Sequence, residues 1–101
     1  MEEILKDVID KIVKTANPDK IILFGSRSKE KAGFDSDYDL LVLKRGINNR
    51  RALAQLLYKN LVNVPAAVDI IVETPEKIEK YQTLHGLVYA EAAKGLVVYE
   101  R

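Results

Sequence analysis

Residues 21–43, IILFGSRSKEKAGFDSDYDLLVL, constrain the fold more than any other part of this chain. Two apolar runs flank a polar insert. The first, Ile21-Ile22-Leu23-Phe24, is short and continuous and stops at Gly25, which reads as a buried strand. The second, Leu40 to Leu43, is preceded by two carboxylates at i and i+2, Asp37 and Asp39. Side chains alternate faces along a strand, so both carboxylates project to one side, about 7 Å apart. Two acids at the head of an apolar strand repel each other, and a cation between them stabilises the pair. Oxygen-only ligands suit a hard divalent ion such as Mg2+, and Mn2+ takes the same ligands. Asp-Ser-Asp is also ordinary turn chemistry, so the pair needs a second feature beside it.

Gly25-Ser26 supplies that feature. A Gly-Ser step after a strand lets the backbone turn sharply. It also points amides and a hydroxyl at one place, which makes an anion site. A phosphate held by amides beside a cation held by two aspartates is the arrangement of metal-assisted phosphoryl or nucleotidyl transfer.

Gly25-Ser26, ten intervening residues, then Asp37-x-Asp39 resembles the Gly-Ser…Asp-x-Asp signature of the nucleotidyltransferase superfamily related to DNA polymerase beta. The wider text LFGSRS…SDYDLLV is similar to the minimal nucleotidyltransferases of bacteria and archaea, the small partners of HEPN-domain proteins. Those are stand-alone domains of about this length, so the resemblance covers nearly the whole chain.

The resemblance implies a small mixed sheet of the polymerase-beta palm type, ATP as substrate and two Mg2+ ions. It implies that Gly25 and Ser26 hold the nucleotide's phosphates and that Arg27 adds a charge-assisted contact. Val68-Asp69-Ile70-Ile71-Val72 resembles the segment that carries the family's third catalytic aspartate. On this basis Asp37 and Asp39 are shared by two metals, and Asp69 serves the metal that activates the nucleophile. The implied acceptor is a tyrosine of a partner HEPN toxin, which makes this chain the antitoxin of the pair. The family often reads Gly-Ser-Arg-Ala-Arg-Gly at the turn. Here Lys29 keeps the second basic position, but Glu30 stands in place of the glycine.

The length of 101 residues gives one domain, residues 1–101, with one modest core. Its composition, 48% hydrophobic and 31% charged, is that of an ordinary soluble protein. No apolar run approaches the roughly 20 residues needed to span a membrane. The amphipathic, acidic start MEEILKDVID is not a secretory signal. The lack of cysteine excludes disulfides and thiolate metal sites and fits a cytoplasmic protein. A net charge of +1 supplies no bulk attraction to nucleic acid.

Along the chain, Ile4, Leu5, Val8, Ile9, Ile12 and Val13 line one face of a helix over residues 2–15. Asn17-Pro18-Asp19 turns the chain into the strand 21–24. Ser26 reads as the N-cap of a short helix over 27–31, and residues 32–36 read as a loop. A strand over 37–43 follows, then a helix over 50–61 and a strand over 68–72. Thr74-Pro75 reads as a helix start for residues 76–82. A last helix over 84–93 is closed by Gly95 as a C-terminal cap, and Leu96 to Tyr99 reads as an edge strand. This alternation predicts an α+β fold with α/β-like order, a sheet with helices mainly on one face.

The remaining polar residues have plainer readings. Asp69 stands alone in its strand, and either a half-exposed polar position or a third carboxylate explains it. Glu73 lies on the same strand face as Asp69 and is a candidate supporting acid. Lys44, Arg45, Arg50 and Arg51 read as a solvated loop and helix start, with contact to a polyanion or an acidic partner as the alternative. His85 lacks visible partners and reads as a surface residue, and Tyr81, Tyr89 and Tyr99 read as packing residues. A domain this small exposes much of its sheet, so association with a partner or with itself is expected. A second reading of the chain is a binding module that neutralises its partner by contact alone.

Overall fold

The computed structural model describes residues 2–25, 37–81 and 88–101. The short helix expected over 27–31, the loop 32–36, the start of the last predicted helix and His85 lie outside the described residues.

The described elements are α1 (Glu3–Ala16), β1 (Lys20–Phe24), β2 (Tyr38–Leu43), α2 (Arg50–Asn60), β3 (Val68–Glu73), α3 (Pro75–Tyr81), α4 (Val88–Ala93) and β4 (Leu96–Glu100). The helix ends follow local chemistry. Asn17 takes a left-handed conformation, φ 46°, at the end of α1 and donates its N–H to the Val13 carbonyl at 2.9 Å. Asparagine tolerates that region better than most residues. The Asn49 side chain caps α2 by accepting from the Ala52 amide at 3.0 Å. The Thr74 hydroxyl accepts from the Lys77 amide at 3.3 Å, with Pro75 as the first helical residue of α3, as its sequence predicts.

The four strands form one mixed sheet in the order β3-β2-β1-β4. β1 runs antiparallel to both β2 and β4, and β2 runs parallel to β3. Parallel neighbours need a long crossover, here supplied by α2. β4 takes the predicted edge position beside β1. Gly95, just before it, closes α4 by donating its N–H to the Ala92 carbonyl at 3.1 Å, without the left-handed conformation of a glycine cap. A Cβ there would lie 2.4 Å from the Leu23 carbonyl oxygen, so the glycine lets the chain pass close to β1.

Alternation divides the core in two. Ile21, Leu23, Leu40, Val42, Ile70 and Val72 pack beneath α1 and α2 with Leu5, Val8, Ile12 and Leu57. Ile22, Leu41 and Leu43 face the other way and pack with Ile78 of α3 and Ala92 of α4. The two long helices thus share one face, as the pattern predicts, and two short helices cover part of the other. Asp37, Asp39, Asp69 and Glu73 fall on this second face by parity.

Candidate active site

The acidic residues meet because of strand register. Asp39 pairs with Asp69 across the parallel β2–β3 ladder, and it pairs with Phe24 across the antiparallel β1–β2 ladder. Residues directly opposite each other on adjacent strands place their side chains on the same face. Asp69 therefore stands beside Asp39, and Gly25 follows immediately after the strand residue opposite Asp39. Asp37 is exposed, just before β2.

Gly25 and Asp39 fit each other closely. Gly25 has φ 74°, a region that L side chains rarely adopt. A Cβ on it would lie 2.2 Å from Asp39 Oδ2. The missing side chain is the room that the carboxylate occupies.

The electrostatics match this crowding. Burial raises the Asp39 carboxyl above its ordinary value, and the charges of Asp69 and Asp37 and a hydrogen bond with Asp69 push it further in the same direction. Among the described residues no lysine or arginine is ion-paired with these acids. Among the same residues no three acidic or histidine side chains are already gathered round one point that would hold a metal ion. Three carboxylates, oxygen donors only and short of a cation, fit a hard divalent ion by their chemistry.

The other predicted site residues cannot be added. Ser26 and Arg27 lie outside the described residues.

Three of the four residues of the basic patch are held separately, Lys44 and Arg50 by their side chains and Arg45 by its backbone amide. Lys44 Nζ donates to the Asn17 carbonyl at 3.3 Å, and the Arg45 amide donates to Asp19 Oδ2 at 2.8 Å. Arg50 is committed to Glu73. That glutamate is only 2% exposed and accepts from Arg50, from the Tyr89 hydroxyl at 2.5 Å and from the Thr74 amide at 3.1 Å. Lys77 Nζ lies 3.5 Å from it. Burial alone pushes the Glu73 carboxyl up. Hydrogen bonds from Tyr89 and Thr74 and the charges of Arg50 and Lys77 outweigh that, so the net displacement is downward. The sequence offers Glu73 as a supporting acid for Asp69, but its carboxylate is tied instead to Arg50, Tyr89, Thr74 and Lys77, and nothing local reveals Arg50 and Tyr89, 23 and 16 residues away. An open cleft of about 430 Å³ among Asp19, Lys20, Arg45, Glu100 and Arg101 lies at the opposite end of β1 and β2 from the aspartates.

A mixed sheet that sets Asp39 beside Asp69, with a glycine turn against one of them, is the geometry expected of a palm-type transferase. The family described as "Polymerase beta, Nucleotidyltransferase" matches residues 6–101. The chain belongs to the polymerase beta nucleotidyltransferase family. As a member it carries nucleotidyltransferase chemistry of that general kind, and its family works with nucleoside triphosphates and divalent metal. A search of curated proteins finds no match. Among solved structures, this nucleotidyltransferase is similar to a chain from the crystal structure of a toxin-antitoxin with AMP-PNP. The similarity has a TM-score of 0.52 and 23% identity over 95% of this chain and 73% of that one. At that identity the likeness concerns the fold. Among the described residues no helix is long and apolar enough to cross a membrane.

Proposed function

We propose that this nucleotidyltransferase moves a nucleoside monophosphate, AMP from ATP, onto a hydroxyl of a partner protein and acts as an antitoxin. The observation that carries the reading is the register that places Asp39 opposite Asp69 with Gly25 against the Asp39 carboxylate. The similar chain from a toxin-antitoxin with AMP-PNP supports the nucleotide and the class of partner. The resemblance to minimal nucleotidyltransferases supports a HEPN toxin and its tyrosine as the acceptor.

Asp37, Asp39 and Asp69 are the residues that would hold the metal. Bound Mg2+ supplies charge neutralisation at the triphosphate and at the attacking and leaving oxygens. The chain's own residues do the rest. The turn at Gly25, with Ser26 and Arg27, binds the phosphates. The acceptor hydroxyl oxygen forms a bond to the α-phosphorus, the bond from that phosphorus to the bridging oxygen breaks, and pyrophosphate leaves. The hydroxyl proton passes to the Asp69 carboxylate.

The test is incubation with α-labelled ATP, Mg2+ and the product of the neighbouring gene. Label on that partner, absent with Asp39→Asn, is the expected result. ATP binding without transfer moves the acceptor elsewhere. Neutralisation of the partner by a folded Asp39→Asn protein replaces the catalytic reading with one of contact alone.

A further inference from the structure

Asp69 sits on β3, which is an edge of the sheet, and an edge strand holds its residues on one side only. Backbone groups alternate sides along a strand. The Ala67 carbonyl accepts from the Tyr38 amide of the neighbouring segment at 3.0 Å. By alternation the backbone of Asp69 also turns toward β2, and that of Ile70 turns to the open edge. There the Ile70 amide donates to the Tyr58 hydroxyl at 2.7 Å, and the same hydroxyl donates to the Ile70 carbonyl at 3.4 Å. A phenol can do both at once. One side chain of α2 thus meets the two backbone groups that a further strand would meet, at the residue directly after Asp69.

We infer that Tyr58 is a positioning residue for Asp69: its hydroxyl holds the edge backbone at Ile70 and thereby sets the Asp69 carboxylate beside Asp39. The inference rests on the reading of Asp69 as part of the acidic site. The hydrogen bonds of Tyr58 go to the backbone of Ile70, so it acts through the backbone of β3. Removing the hydroxyl keeps the ring and frees both edge groups to water, so the strand relaxes outward while the fold persists.

The test is Tyr58→Phe in the full chain, with Mn2+ alone as the probe. Mn2+ binding weakens by about 10-fold, the scale on which partners of metal ligands act, while the far-ultraviolet circular dichroism of the folded protein is retained. In an Asp69→Asn background the same substitution has no further effect on Mn2+. Wild-type affinity in Tyr58→Phe overturns the inference, as does an undiminished loss in the Asp69→Asn background. Should the wild-type protein bind no Mn2+, the metal reading falls, and the crystal structure of Tyr58→Phe decides the positioning claim by itself. A displaced Asp69 carboxylate then supports it, and an unchanged Asp39–Asp69 spacing overturns it.

Discussion

β3 carries two acids on one face, and they live under opposite conditions. Asp69, at one end, is exposed and faces Asp39, another acid. Glu73, four residues on, is buried and surrounded by donors from three helices. The strand, the face and the charge are the same. What differs is which residues the topology delivers. Arg50, Lys77 and Tyr89 arrive at the Glu73 end from α2, α3 and α4, while among the described residues Asp37, Asp39 and the turn at Gly25 are placed at the other. One end spends its charge on stability, and at the other no lysine or arginine among the described residues is ion-paired with the aspartates.

The sharpest way to break this comparison is to remove one acid from each end. Asp39→Asn lowers nucleotidyl transfer by about 10³-fold, the scale seen when one electrostatic contact to a transition state is lost, yet the metal-free protein melts at a higher temperature. A lower melting temperature for Asp39→Asn would mean that the aspartates are held by structure and do not repel. Glu73→Ala acts in the opposite sense. It leaves the Tyr89 hydroxyl and the Thr74 amide without their acceptor and destabilises the fold by about 3 kcal/mol in urea unfolding. A loss below about 0.5 kcal/mol, ordinary for surface positions, would show that the cluster is incidental.

Acid titration sharpens the contrast. The folded Glu73 carboxyl is held below its ordinary value of 4.5. Its stabilisation is complete above that value and is lost as pH falls through the lowered folded value. Asp39 works the other way. Its folded carboxyl is raised above 3.8, so the fold gains stability as pH falls from the raised value toward 3.8. Relative to the parent protein, Asp39→Asn therefore loses stability more steeply on acidification, and Glu73→Gln less steeply. Equal slopes in urea unfolding at pH 3 to 6 would contradict both assignments.

What could be read from sequence divides along the same line. Asp37 and Asp39 are i and i+2, the strand ends at Gly25 and the helix starts at Thr74-Pro75. Each is a local pattern whose physics is complete within a few residues, and each appears in the structure at its expected place. The palm-type sheet followed from resemblance, since alternation alone does not order strands. Glu73 was legible only as a candidate supporting acid on the face of Asp69, because two of its partners, Arg50 and Tyr89, lie 23 and 16 residues away along the chain. Gly95 looked like a helix cap because that is the commoner use of glycine after a helix. Its actual constraint, the Leu23 carbonyl, comes from a strand far away in sequence. Tyr58 gave no signal, since a hydroxyl aimed at an edge strand looks the same in sequence as any surface phenol.

The parallel pairing of β2 with β3 has a kinetic consequence. Asp39 and Asp69 are separated by all of α2 and its connections, and a pairing that closes so long a loop forms late because loop entropy must be met first. The two carboxylates therefore become neighbours only when β3 docks beside β2, after the more local β1–β2 pairing. A divalent ion that bridges them has nothing to hold until that moment. Mg2+ should accordingly slow unfolding while leaving the refolding rate unchanged, a pattern that stopped-flow chevrons with and without the ion would display directly.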